Sequence, residues 1–227
     1  MKKGILIFTL CFCVMSADSY GIIFSDDFES GTLHEWIIGG RQEGRESVAE
    51  VVSYHGSQQA HLYQDGFTEI NMSKSFNYQN DLHFSFDMET QVFSEANDPE
   101  GYHRVTSGVA FAFQDSSFNQ LGDVRYLNAT SIYSILTQNP KPEIEIFEID
   151  SGFANYSMNI EDILSNITIN ENVIAYVSMR FGIYVSSDQY NMSGHNWVDN
   201  VVVTPEPTSA LLLIVGAGLF RYGKRKR

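Results

Sequence analysis

Between residues 82 and 89 hydrophobic and polar side chains alternate without a fault, Leu82, Phe84, Phe86 and Met88 on one side and His83, Ser85, Asp87 and Glu89 on the other. Successive side chains leave a pleated strand on opposite faces, so this period of two predicts a half-buried antiparallel β-strand. Residues 108–114 repeat it, with Val109, Phe111 and Phe113 on one face and Gly108, Ala110 and Ala112 on the other. The small face suits either the floor of a ligand groove or close packing. The longest run is 173–185, where Val173, Ala175, Val177, Met179, Phe181, Ile183 and Val185 oppose Ile174, Tyr176, Arg180 and Tyr184. Residues 49–54 and 59–63 read as a hairpin around the turn residues His55, Gly56 and Ser57, and residues 22–24 as a short first strand.

Helical periodicity is almost absent between residues 20 and 204, the best candidate being a turn or two at 160–164. Short aromatic and β-branched runs separated by Gly, Asn, Asp and Ser predict an all-β sandwich, with loops at 95–101 and 138–142. Neither an internal repeat nor a low-complexity segment interrupts it.

The ends have a different composition. Lys2 and Lys3 precede an apolar run, residues 4–15, and then the small residues Ser16, Ala17 and Ser19, the order of a secretory signal peptide over residues 1–19. At the other end Pro205, Glu206 and Pro207 are followed by uncharged residues 210–220 and by Arg221, Lys224, Arg225, Lys226 and Arg227. About 15 helical residues would extend roughly 22 Å, short of a hydrocarbon core of ~30 Å, so this hydrophobic helix enters a bilayer without being a good permanent span. Its basic end is expected to stay cytoplasmic while everything before it is exported.

The tail from residue 204 to 227 resembles that of PEP-CTERM proteins, exported bacterial proteins that behave like sortase substrates. That resemblance implies sorting at Pro205, Glu206 and Pro207 by an exosortase-type membrane enzyme, transient residence in the inner membrane, and a final place at the cell surface or in an exopolysaccharide matrix such as a biofilm. An ordinary tail anchor after a proline-marked linker is the alternative.

Both cysteines, Cys11 and Cys13, lie in the signal segment, leaving residues 20–204 without a disulfide or a thiolate. That one-domain span holds seven lysines and arginines against 26 aspartates and glutamates, a formal charge near −19. Nucleic acid is excluded as a partner, and divalent cations are attracted. A solvated acidic surface accounts for most of the charge.

Asp26, Asp27, Phe28 and Glu29, the turn glycine Gly31, Trp36, the His55-Gly56-Ser57 hairpin and a last strand at 197–203 follow an order that resembles jelly-roll domains of the carbohydrate-binding-module and concanavalin-like type. The resemblance implies a two-sheet antiparallel jelly roll over residues 20–204, first and last strands adjacent, that binds extracellular polysaccharide or builds the matrix. It also implies a structural calcium ion held by Glu29 and Asp199. Simple alternation puts Asp199 on the face of Trp197, Val201 and Val203, an odd place for a lone carboxylate unless a cation or water meets it.

The competing class is a glycoside hydrolase or lyase. If Phe147 were the extra residue of a β-bulge, Glu143, Glu145, Glu148 and Asp150 would share one face while Ile144, Ile146 and Ile149 faced the core. Such a strand is similar to the Glu-x-Asp-x-x-Glu strand of laminarinase-like hydrolases, from which it departs at Glu145. An outward polar strand of an acidic protein gives the same pattern. Sugar clefts usually offer several aromatic platforms, and Trp36 and Trp197 are the only tryptophans. His34, His55, His61, His83, His103 and His195 have no zinc-site spacing, and neither a phosphate-cradling glycine loop nor a nucleophile elbow is present. Five Asn-x-Ser/Thr triplets, at Asn71, Asn128, Asn155, Asn166 and Asn191, are coincidence in a chain rich in Asn and Ser.

Overall fold

A computed structural model describes residues 22–40, 46–96, 103–130, 143–187 and 190–205. The signal segment 1–19, the loop 138–142 and the tail from Glu206 lie outside the described residues. Twelve strands run β1 Phe24–Asp26, β2 Ile37–Gly39, β3 Glu46–Tyr54, β4 Ser57–Asp65, β5 Thr68–Asn77, β6 Leu82–Ser94, β7 Val105–Gln114, β8 Gln120–Ala129, β9 Ile144–Glu148, β10 Gly152–Asn159, β11 Tyr176–Val185 and β12 Met192–Pro205. Among the described residues one short α-helix, α1, spans Ile160–Leu164.

The strands form a two-sheet jelly-roll sandwich. The first sheet has the order β10-β6-β12-β4-β3 with β1 also on β12, and the second the order β2-β5-β11-β7-β8-β9. The first and last strands are adjacent, Phe24 opposite Val203. All pairs are antiparallel except β8 and β9, which run parallel. Parallel neighbours need a crossover of about a dozen residues, and the segment between Ala129 and Ile144 is long enough to make one.

The alternating runs bury the faces expected of them. Leu82, Phe84, Phe86 and Met88 from the first sheet meet Val109, Phe111, Phe113, Val177, Met179 and Phe181 from the second, all but excluded from solvent. Phe84 sets its edge on Phe111 at 5.0 Å and Phe86 on Phe181 at 5.1 Å, the geometry that ring quadrupoles favour. In the β3–β4 hairpin His55 and Gly56 both take positive φ, 50° and 94°, as a two-residue turn matched to strand twist requires. β11 begins at Tyr176 rather than at Val173, because Glu171–Val173 coil into a 3₁₀ turn whose first residues are held by the Asn170 side chain, which accepts from Asn172 N at 3.2 Å.

The last strand departs from simple alternation. Asp199 pairs with Asp87 but Val202 pairs with Ser85, so β12 carries one extra residue, and Asn200 takes a φ of 51°. This bulge reverses the parity of the strand. Asn196, Val198, Val201 and Val203 face the core, whereas Trp197 and Asp199 point outward, which corrects the expectation that Asp199 shares a face with Val201 and Val203. The bulge also lies where β12 changes partner: pairing with β4 ends at Val198 and pairing with β1 starts at Val201.

Candidate functional site

The outer face of the second sheet is built from side chains that alternate with the core. Gly108, Ala110 and Ala112 of β7 are flanked on one side by Gly182, Arg180 and Ser178 of β11, with Tyr184 one step on beside Thr106, and on the other by Leu127, Arg125 and Asp123 of β8. Arg180 and Tyr184 on the β11 side and Leu127, Arg125 and Asp123 on the β8 side stand above this row of small residues and leave a groove of about 190 Å³ across the sheet, with Glu69 and Asn71 of β5 at one end. Both sequence readings of the small face find support: Ala110 and Ala112 floor a groove, while at Gly108 a Cβ would meet Tyr126 O at 2.0 Å, so close backbone packing demands the glycine.

Asp123 gives the groove its chemistry. The residue is 4% exposed, and its Oδ2 accepts from Arg125 Nε, while Oδ1 has no hydrogen-bond partner. Leaving a buried acceptor unsatisfied costs on the order of 1–3 kcal/mol, so this oxygen favours a donor such as a ligand hydroxyl. On the same face Gln114 leaves Oε1 likewise unpartnered. At the rim Tyr184 is exposed, and Phe118 lies flat against Tyr176 with ring centroids 4.6 Å apart. The only sequence signal for Asp123 and Arg125 is the short polar and apolar alternation over residues 123–126, which breaks at Leu127.

The acidic strand is not assembled as the enzymatic reading requires. β9 pairs with β8 in unbroken register from Ile144 opposite Asp123 to Glu148 opposite Leu127, so Phe147 is not an extra residue. Phe147 stacks on Tyr126 and packs, with Ile149, against the core. Glu145 therefore projects to the core side with Phe147, while Glu148 projects to the outer side with Ile144 and Ile146. Two carboxyls that must meet across one sugar bond at about 5–5.5 Å are not both on one face here. Glu143 precedes the strand, and its carbonyl accepts from Asp123 N at 2.9 Å.

Glu29 and Asp199, far apart in sequence, line one hollow of about 620 Å³ at the β12 bulge, together with Asp27, Asp87 and Ser57. Asp26 Oδ1 accepts from Phe28 N at 2.9 Å and Asp26 Oδ2 from Trp36 Nε1 at 2.8 Å, a turn that drives Phe28 into the core. Asp27 and Glu29, on either side of Phe28, line the hollow instead. Gln58 N donates to Glu29 Oε1 at 3.1 Å. Ser57 Oγ donates to Asp199 Oδ2 and Asn200 N to Asp199 Oδ1, both at 2.8 Å. Burial raises the Asp199 pKa above the ordinary carboxylate value; the two hydrogen bonds oppose this, and the charges of Asp87 and Glu29 add to it. Among the described residues no three His, Cys, Asp or Glu side chains come close enough to hold a metal by themselves. A cation here needs additional oxygens from Ser57, backbone carbonyls or water.

Across the rest of that outer face runs a cluster of near-parallel rings. Trp197 lies between Tyr54 at 4.8 Å and His195 at 4.9 Å, and His61 Nε2 and His195 Nδ1 share a proton at 3.0 Å. Burial lowers the pKa of both histidines; Glu50 counters this at His61, and His61 reinforces it at His195.

The chain matches no protein-family model and no curated protein. Among solved structures it is similar to a family 11 carbohydrate-binding module of a Clostridium thermocellum cellulosomal cellulase, at 15% identity over 82% of this chain and 94% of that one, with a TM-score of 0.42. It is also similar to the N-terminal tandem CBM22 domains of Paenibacillus barcinonensis Xyn10C, at 15% identity over 83% and 50% of the two chains, TM-score 0.45. A third likeness is to TmCBM61, solved with beta-1,4-galactotriose, at 12% identity over 79% and 94%, TM-score 0.41. At such values the groove is read from its own geometry.

Proposed function

We propose that this is an exported, tail-sorted protein whose groove across β11, β7 and β8 binds extracellular polysaccharide. The observation that carries the reading is the unpartnered, buried Oδ1 of Asp123 beside a floor of Gly108, Ala110 and Ala112. A sugar chain offers hydroxyl donors at every residue and an edge thin enough to lie on a floor without large side chains. Retention without cleavage is expected, since Glu145 and Glu148 leave β9 on opposite faces.

The export and sorting arm of the proposal rests on the sequence: the signal segment 1–19, and Pro205, Glu206 and Pro207 ahead of an apolar run and a basic end. An exosortase-type enzyme is the proposed partner there, with the bilayer engaged only until processing. Calcium is the proposed structural ion, with Glu29 and Asp199 as its carboxylates in a hollow whose lining also carries Asp27, Asp87 and Ser57, oxygen donors that suit a hard cation, alongside His55 and Phe153. When bound it would neutralise the charge that makes Asp199 costly to bury, tying the first hairpin turn to the last strand.

The test is affinity electrophoresis of the full-length chain through gels containing β-glucans or bacterial capsular polymers, with a reducing-end assay alongside. Retardation without new reducing ends is expected, and Ala110→Phe, which fills the groove from a partly exposed floor position, should abolish it. New reducing ends that vanish in Glu143→Gln would overturn the non-enzymatic reading. Absence of retardation on every polymer would leave a purely structural role in the matrix.

A further inference from the structure

Arg180 is exposed on the groove wall and makes no hydrogen bond or ion pair among the described residues. This is unusual for a cation in a span carrying 26 acidic residues. Lys74 is 3.0 Å from Glu35, and Arg125 is committed through Nε to Asp123. Arg180 and Arg125 lie in one cross-strand row on either side of Ala110, their Cα atoms two strand spacings, or about 9.5 Å, apart. Arg125 uses only Nε toward Asp123, so among the described residues its terminal nitrogens have no partner. Glu69, the acidic residue at the end of the groove, pairs with Tyr184, four residues from Arg180 and so about 13 Å along the strand, and accepts from Asn71 Nδ2 at 2.7 Å. Asp123 is neutralised by Arg125. Glu148, on the outer face opposite Leu127, stands three strand spacings, or about 14 Å, from β11. The β11 side of the groove, at Arg180, is thus a local cationic position on a strongly acidic domain.

Resting on the polysaccharide reading of the same groove, we propose that its ligand is a uronic-acid polymer, with a sugar carboxylate on Arg180 and a ring hydroxyl donating to Asp123 Oδ1. A guanidinium is a planar fork that matches a carboxylate with two parallel hydrogen bonds, and such charge-assisted pairs are about twice as strong as neutral ones. A neutral polymer uses the Asp123 acceptor but leaves Arg180 without a role. The net negative charge of the domain disfavours acidic polymers away from Arg180, so it orients the chain on its ligand as well as weakening non-specific contact.

The experiment is affinity electrophoresis of the full-length chain in chelator, through gels containing polygalacturonate or alginate, each compared with the same polymer after chemical reduction of its carboxyls to alcohols. Dextran sulfate serves as a control for plain charge. Retention by a carboxylated polymer about tenfold tighter than by its reduced form is expected, a preference that weakens with added salt and disappears in Arg180→Gln. Arg180→Lys should recover only part of it, since it restores the charge without the fork. Equal or stronger retention by the reduced polymer, abolished by Ala110→Phe, would overturn the uronate assignment and leave the groove reading standing. Equal retention by dextran sulfate, or retention of the acidic polymer that needs calcium, would also overturn it. Failure of both forms of both polymers, and of the β-glucans and capsular polymers above, would remove the groove reading and the uronate assignment together.

Discussion

The Ser57 hydroxyl donates a 2.8 Å hydrogen bond to Asp199 Oδ2, joining the turn of the first hairpin to the bulge of the last strand across 142 positions of chain. One end of that bond is a carboxylate held among Asp87 and Glu29, and its protonation is therefore linked to stability. A raised folded-state pKa means that the native protein binds this proton more tightly than the unfolded chain does. Without a cation, Asp199 costs stability at neutral pH, and that cost fades as pH falls through its raised pKa.

Calcium should reverse this trend. Saturation at 100 times the dissociation constant adds about 2.7 kcal/mol, or roughly 5–10 °C in Tm for a domain of this size. The gain should be full at neutral pH, shrink as Asp199 protonates, and be absent in Asp199→Ala. Thermal melts in millimolar calcium and in chelator at pH 7.5 and pH 5 check it. Equal midpoints at pH 7.5 would dispose of the ion.

Asn200 carries the left-handed residue of the β12 bulge, where a side chain with a Cβ is normally strained. Asn200→Val should cost roughly 1–2 kcal/mol for the backbone alone, and lose in addition the 2.7 Å bond from Asn200 Nδ2 to Asp87 Oδ2. Asn200→Gly loses the same bond but relieves the strain, so it should be the milder variant. Urea midpoints that put glycine below valine would show that the bulge conformation is not what selects asparagine.

His61 and His195 share one proton and have lowered pKa values, so the native state takes up fewer protons than the unfolded chain in weak acid. Stability from this pair is complete above the ordinary histidine pKa of about 6.5 and is lost as pH falls below it toward the lowered values. His195→Gln should flatten that part of the profile. An unchanged slope of Tm between pH 7 and pH 5 in the variant would exclude the pair as its source.

In the core, Phe84 is fully buried between Phe76 and Phe111. Phe84→Ala is expected to cost about 3–5 kcal/mol through lost burial and the cavity left behind, measured as a drop in urea midpoint at constant slope.

Processing of the tail has its own readout. Mass spectrometry of the surface-exposed protein should recover peptides of β12 and none beyond about residue 210, whereas intact tails in the outer fraction would favour a simple anchor.

The alternating runs were readable because each strand buries one face, and Leu82, Phe84, Phe86 and Met88 announce theirs with no need of partners. Parity along a strand holds only while the register does. A single extra residue at Asn200 turned Asp199 outward, and its only local signal is an asparagine able to adopt positive φ. In β9 the converse holds: the enzymatic reading needs an extra residue at Phe147, and the register runs straight there. The groove was half visible: the small face of β7 and Arg180 could be read individually. Asp123 and Arg125 reach β7 through the β7–β8 hairpin, but the juxtaposition with Arg180 depends on β11 flanking β7 on the other side, a long-range pairing that no local pattern encodes.

β12 pairs with β6 from Met192 opposite Ser94 to Pro205 opposite Leu82, and β1 holds its far side near the end. Force applied from residue 206 onward acts along the axis of this interior strand. Its hydrogen bonds to β6 lie across that axis and must yield together, in shear, instead of one at a time as when an edge is peeled. A domain tethered through this point to a wall or a gel would resist detachment by unfolding far better than one hung from a peripheral strand.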